Sequence, residues 1–252
     1  LHGDHELLCS VRVGKRLYAG LNSGAVHPVE LDGSRIHASL DVHCDSALCI
    51  AASSDGSAVY VGGADKVLHR APLTNDETGP AAPTPSAFVG HHGSVTCVCV
   101  DDLGERVFTG SSDKTAKAWD AETGKETTDY VGHSGWITSI AYADDGTLYT
   151  GAGDCLAIAW EADTGDRRLT FKAHFGCVNT LAVLGQHLFT GSDDKSAIMW
   201  HRRTSEQLLV FRGFHDHWVT SLVAVDEFLF TASESEVHVW SSESGEHIQT
   251  LA

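Results

Sequence analysis

The chain has 252 residues, 42% of them hydrophobic and 8% aromatic, enough to bury the core of one large all-β domain or of two ordinary domains. Its 17 Lys and Arg stand against 34 Asp and Glu, a formal charge of -17 that repels a phosphate backbone and an anionic leaflet, so neither nucleic acid nor a membrane surface is an expected partner. The 16 histidines, with unperturbed pKa values of about 6.5, cancel much of that acidity only below neutrality. No apolar run reaches the roughly 18 residues of a spanning helix. Seven cysteines is an odd count, and Cys97 and Cys99 lie two apart on one expected strand, facing the same way at a separation unsuited to a disulfide. Thiols in a reducing compartment are therefore expected, the cytoplasm first, with the nucleus also open. Leu1 in place of Met leaves room for a preceding segment.

In chain order, residues 7–13, 17–20 and 25–29 read as short strands, with Asp32-Gly33 as the following turn. After His43, strands at 47–52 and 59–62 are separated by Asp55-Gly56, and Asp65-Lys66 leads into a third that ends near Arg70. Residues 72–86 hold four of the five prolines, cannot pair inside a sheet, and are expected as a surface loop between third and fourth strands. The next stretch gives a complete unit: strands at 95–100, 107–110, 115–119 and 127–131, joined by Asp101-Asp102-Leu103-Gly104, Asp113-Lys114 and Thr123-Gly124. That unit then recurs. Trp119, Trp160, Trp200 and Trp240 are 41, 40 and 40 residues apart, and Thr109, Thr150, Thr190 and Thr231 are 41, 40 and 41 apart. First strands are apolar on nearly both faces (Val178, Leu181, Ala182, Val183; Val219, Leu222, Val223), as expected of a strand held between neighbouring sheets.

Gly90-His91, then Thr109-Gly110-Ser111-Ser112-Asp113, then Trp119-Asp120, repeated from Gly132-His133 through Thr150 to Trp160, resemble the WD-repeat family, strongly from Phe88 onward and weakly before it. The resemblance implies an all-β propeller with six recognisable four-stranded blades, a single domain over 1–252 with blades near 1–40, 41–90, 91–132, 133–173, 174–213 and 214–252. The ring is either six-bladed or an incomplete seven-bladed one. The resemblance also implies a buried hydrogen-bonded chain of Trp, Thr, His and Asp in each blade: Trp119, Thr109, His91 and Asp113; Trp160, Thr150, His133 and Asp154; Trp200, Thr190, His174 and Asp194. Repeat six departs, with one residue fewer between Thr231 and Trp240 and Glu234 or Ser235 in the place of the Asp. Repeats one and two lack the Trp and are expected to be looser.

A hydroxyl, an imidazole and a carboxylate also make a nucleophile triad, but an enzyme builds one such set whereas this one recurs blade after blade, so no catalytic residue is expected. Neither a metal nor a cofactor is expected: no Cys-x-x-Cys occurs, and His215, Asp216 and His217, the one cluster kept, read as a solvated loop. In a propeller the loop leading into the first strand and the turn between second and third strands open on one rim, the top face. Three residues after each leading His stand Ser46, Ser94, Trp136, Cys177 and Trp218, with Glu6 matching in repeat one; before each turn Asp stand Ala64, Ser112, Gly153 and Asp193. Trp136, Trp218, Ser94, Cys177, Asp193, Glu6, Thr138 and Thr220 are the candidate partner-binding residues, and acidity favours a basic or aromatic-bearing peptide of another protein. Two other readings stand beside this scaffold. One is a ubiquitin-ligase substrate receptor with Trp-Asp-x-Arg; here Trp119-Asp120-Ala121-Glu122 lacks the Arg and Trp200-His201-Arg202-Arg203 lacks the Asp. The other is an enzyme at the channel mouth, for which the first strands offer Thr96, Thr138, Asn179 and Thr220.

Overall fold

The computed structural model describes residues 6–32, 39, 40, 42, 44–73 and 86–251. Gly33, His43 and residues 74–85 of the proline-rich segment lie outside them. The described elements are all strands, arranged as six antiparallel sheets. Sheet one holds β1 (Leu7–Val13), β2 (Arg16–Leu21) and β3 (Val26–Glu30). Sheet two holds β4 (Ala47–Ala52), β5 (Ala58–Gly63), β6 (Val67–Pro72) and β7 (Ser86–Val89). Sheet three holds β8 (Val95–Val100), β9 (Arg106–Ser111), β10 (Thr115–Asp120) and β11 (Glu126–Val131). Sheet four holds β12 (Ile137–Ala143), β13 (Thr147–Ala152), β14 (Ala157–Glu161) and β15 (Arg167–Phe171). Sheet five holds β16 (Val178–Leu184), β17 (His187–Ser192), β18 (Ala197–His201) and β19 (Gln207–Phe211). Sheet six holds β20 (Ser221–Val225), β21 (Phe228–Ala232), β22 (Val237–Ser241) and β23 (His247–Leu251). In sheet one, Leu40 exchanges both backbone hydrogen bonds with Val26 at the position where Phe88 pairs Leu68 in sheet two.

Turn chemistry sets these meanders. Between second and third strands Lys66, Lys114, Cys155 and Lys195 all adopt positive φ, directly after the Asp of each turn. That Asp accepts the backbone N–H two residues on, as Asp113 Oδ1 does from Thr115 at 2.9 Å and Asp194 Oδ1 from Ser196 at 3.0 Å. Each first strand of sheets one to five opens with a register shift at its second residue, between Leu7 and Cys9, Ala47 and Cys49, Val95 and Cys97, Ile137 and Ser139, and Val178 and Thr180.

Backbone contacts divide the chain into two compact halves, Leu1–Asp129 and Tyr130–Ala252. In the first half, one core joins Tyr18 and Val26 to Val59, Val61 and Ala71, and another joins Tyr60, Leu68 and Phe88 to Val107 and Trp119. In the second, Tyr149, Ala157 and Phe171 pack against Val178, Leu188 and Trp200, and Phe189, Met199 and Phe211 against Leu222, Leu229 and Trp240. Within each half an aromatic side chain on a fourth strand meets the Trp of the next sheet edge-on, as in Phe88 with Trp119, Phe171 with Trp200, and Phe211 with Trp240.

In sheet two the hydrogen-bonding partner of the Trp is lost along with the Trp itself. Val61 stands at the Thr position and Ala71 at the Trp position of sheet two, both buried, so neither of these two side chains brings a polar atom that needs a partner. The first strand of repeat six is not enclosed on both faces: Val223 is 53% exposed, whereas Ala182, its equivalent on β16, packs against the core shared with sheet six.

Candidate functional site

A Trp side chain removed from water leaves one N–H to satisfy, and the Thr directly across the sheet region answers it. The Trp119, Trp160 and Trp200 indoles donate to Thr109, Thr150 and Thr190 at 2.8, 2.8 and 2.9 Å. Having accepted from the indole, each hydroxyl donates to the Nε2 of His91, His133 or His174, at 2.8, 2.9 and 2.7 Å. The ring's Nδ1–H then donates to Asp113, Asp154 or Asp194 at 2.9, 2.9 and 2.7 Å. This order requires neutral imidazoles. Burial lowers the pKa of His91 and of His133, outweighing the carboxylate beside each. Burial also works against the charged forms of Asp113 and Asp194, but Thr115 with the His92 N–H, and His174 with Ser196, hold those carboxyls below their usual range. The same Asp accepts the backbone N–H of His92, Ser134 or Phe175, so the tetrad also fixes the loop leading into the sheet.

Sheet six completes only part of this. Trp240 donates to Thr231 at 2.7 Å and Thr231 meets His215 Nε2 at 2.8 Å, but the buried His215 Nδ1 has no hydrogen-bond partner. Neither residue expected in the Asp's place reaches it: Glu234 is exposed and pairs with His217 at 3.5 Å, and Ser235 is exposed. The shortened turn is the reason. His215 and His217 therefore do not form one solvated cluster; His215 is buried in the sheet and His217 faces water. Among the described residues no group of three or more His, Cys, Asp or Glu side chains is arranged to hold a metal ion, and all seven cysteines are thiols.

The rim is stitched by one recurring backbone hydrogen bond. Asn22 donates to Glu6 O, Ala64 to Ser46 O, Ser112 to Ser94 O, Gly153 to Trp136 O and Asp193 to Cys177 O, at 2.9 to 3.2 Å. Each leading loop and its second turn thus share one end of their sheet. Trp136 is 65% exposed and Trp218 61%. Glu6 and Thr220 are exposed as well, while Ser94, Cys177, Asp193 and Thr138 are half-buried. Several of these candidates are already engaged. Asp193 Oδ1 accepts from Asn179 at 2.7 Å, and Thr138 donates to the carbonyls of Gly151 and Val178. Thr96 and Thr220 likewise donate to Gly110 O and Ala232 O. Phe175, absent from the expected set, is 95% exposed beside the buried His174. Its signal in the sequence is slight: an aromatic residue directly after the leading His, where repeats three and four have His92 and Ser134.

Residues 84–120, 124–161 and 165–201 match the WD domain, G-beta repeat family. Over 36 residues, 14% of its length, the chain is 58% identical to the E3 ubiquitin-protein ligase TRAF7 of Mus musculus and to that of Homo sapiens. The matched stretch spans only 6% and 5% of those two proteins. Among solved structures, the WD40 beta propeller domain of Doa1 is similar at a TM-score of 0.82 and 22% identity, over 98% of this chain and 82% of that one.

Proposed function

The chain is built as a WD40-repeat β-propeller, and from that premise we propose that it works as a non-catalytic platform whose rim holds a peptide of another protein. One observation supports this reading most: Trp136, Phe175 and Trp218 stand exposed on the leading loops of three successive sheets. A leading loop buried against its tetrad has no packing reason to show an aromatic ring to water, and truncating such rings at interfaces often costs about 2 kcal/mol or more. Asp216 and Glu234 are exposed on the neighbouring loop and turn, and the chain carries -17 overall. A peptide carrying Lys or Arg beside an aromatic or aliphatic anchor fits that chemistry best.

Two competing readings gain little. The hydroxyls and amide offered by the first strands donate to backbone carbonyls, which leaves poor material for catalysis. Arg202 and Arg203, the basic end of Trp200-His201-Arg202-Arg203, are paired with Asp145 at 3.3 and 3.6 Å, and a likeness of 36 residues to a ubiquitin ligase carries one repeat, not its activity. The thiols suit a reducing compartment, and we place the protein in the cytoplasm, with the nucleus also open. Binding of a fluorescent basic-aromatic peptide pool to the chain and to Trp136→Ala/Phe175→Ala/Trp218→Ala tests the platform. The variant should bind at least about thirtyfold more weakly. Equal affinity in a variant with unchanged circular dichroism rejects the rim as the binding surface.

A further inference from the structure

Sheet six replaces one carboxylate with two histidines. His215 Nδ1, which has an Asp facing it in the three preceding sheets, here lies buried and unpartnered, with the His238 ring edge-on at a centroid distance of 4.3 Å. His238 occupies the position held by Ile158 and Ile198 in sheets four and five. His238 Nδ1 lies 3.2 Å from His247 Nε2 and 3.0 Å from Thr250 Oγ1. The His247 ring in turn stacks on Phe214 at 3.8 Å and stands 5.0 Å from the Trp240 ring. Phe214 and His215 begin the loop that carries Trp218, so the loop is fastened to β22 and β23 through imidazoles.

We propose that His215, His238 and His247 form a proton-operated latch that holds the 212–218 loop against sheet six while the three rings are neutral and releases it on mild acidification. Among the described residues these charged and titratable groups lie around the latch. Glu236 Oε2 lies 3.4 Å from His238 Nε2, and Asp216 adjoins on the loop itself, its carbonyl accepting from Lys195 Nζ at 2.7 Å. The His217 and Glu234 side chains are exposed and face one another. None of these carboxylates reaches His215 Nδ1. A proton added to His91, His133 or His174 meets an Asp at once; one added to His215 meets two imidazoles and an apolar wall. The ring can keep that proton only by leaving the sheet for water, which also takes an acceptor from Thr231. Burial, then His238 and His247, push His215 down to about 4, and burial likewise lowers His238. A histidine whose folded pKa is depressed contributes stability that is present above its unfolded value and lost as pH falls below it. The window therefore opens near pH 6.5 and runs downward.

Amide hydrogen exchange, corrected for intrinsic rates, reads the latch directly. Val219 N–H donates to Ser192 O and Thr220 N–H to Ala232 O, just after the loop. Their protection should fall about thirtyfold between pH 7.5 and 5, the linkage expected of one His moved from 6.5 to about 4. That of Gly153 and Asp193, on rims backed by complete tetrads in which an Asp faces the ring, should fall much less. Grafting Ser192-Asp193-Asp194-Lys195-Ser196 in place of residues 233–236 gives His215 a carboxylate and should abolish the acid-induced drop; His215→Gln, which cannot be protonated, should do the same without altering the turn. Constant protection at Val219 and Thr220, or an equal drop in His215→Gln, overturns the latch. Neither result bears on peptide binding at neutral pH.

Discussion

At the scale of single residues, the hydroxyl in the middle of each tetrad matters more than the tryptophan at its end. Thr150 accepts from Trp160 and donates to His133, and all three are buried. Thr150→Val keeps the volume but strands an indole N–H and an imidazole nitrogen together, which should cost about 2 to 4 kcal/mol. Trp160→Phe leaves Thr150 its bond to His133 and should cost less through lost hydrogen bonding, its main penalty being the space vacated beside Tyr130. Urea denaturation of both variants checks the order; an equal or smaller loss for Thr150→Val would show that the network is slack. Val61 and Ala71 in sheet two make the same point naturally, since Thr and Trp are exchanged together there. The three complete tetrads were legible because the family resemblance implies such a network and the registered repeats carry it onto each copy. The failure in sheet six was not. Once the turn is a residue short, spacing cannot say whether Glu234 bends inward or faces water, and only the coordinates place it beside His217. Phe175 was missed for a related reason, because a single aromatic residue in a polar loop carries no periodicity.

At the scale of elements, sheets within each half are locked by a small residue receiving a large one. A Cβ added to Gly62, Gly151 or Gly191 would lie 2.5, 2.8 and 2.6 Å from Cγ1 of Val95, Val178 and Val219 respectively. Each second-strand glycine is thus the socket for a valine at the start of the next sheet or, for Val219, two residues before it, and it is needed for close approach, not for an unusual backbone angle. Gly151→Ala should destabilise by about 1 to 3 kcal/mol through overpacking. Val178→Ala added to it should recover part of that loss, because opposite Gly20 the smaller Ala47 leaves an added Cβ 3.0 Å from its own Cβ, against 2.8 Å from Val178 Cγ1 at Gly151. A double-mutant cycle decides the matter: additive losses would mean that the two residues do not touch in solution. Strand positions could be read from turns such as Asp113-Lys114 and Thr123-Gly124, and most of the expected strands lie within a residue of the observed ones. The sockets and the register shifts at Cys97 or Ser139 could not, since a Thr-Gly pair looks the same whether its glycine serves a turn or a neighbour's side chain.

At the scale of the whole molecule, charge and histidine content act against each other as pH falls. The formal charge of -17 makes like charges repel across the surface, and protonating the solvent-facing members of the 16 histidines relieves it. Buried His91 and His133, whose pKa values burial lowers, act in the opposite sense: the unfolded chain takes up their protons first, so stability falls as pH drops below about 6.5. Salt separates the two effects, because raising ionic strength from about 0.02 to 0.5 M shortens the screening length from roughly 20 Å to 4 Å while leaving buried rings untouched. At pH 7.5 the thermal midpoint should rise with salt. At pH 5.5 it should rise less, the surface histidines having already reduced the net charge, and at high salt the midpoint should fall steadily from pH 7.5 to 5.5. Differential scanning fluorimetry over that grid is sufficient. A midpoint indifferent to salt at pH 7.5 would mean that the acidic side chains are largely compensated by local pairs such as Lys117 with Glu126 and Asp129, and that surface repulsion has little part in setting stability.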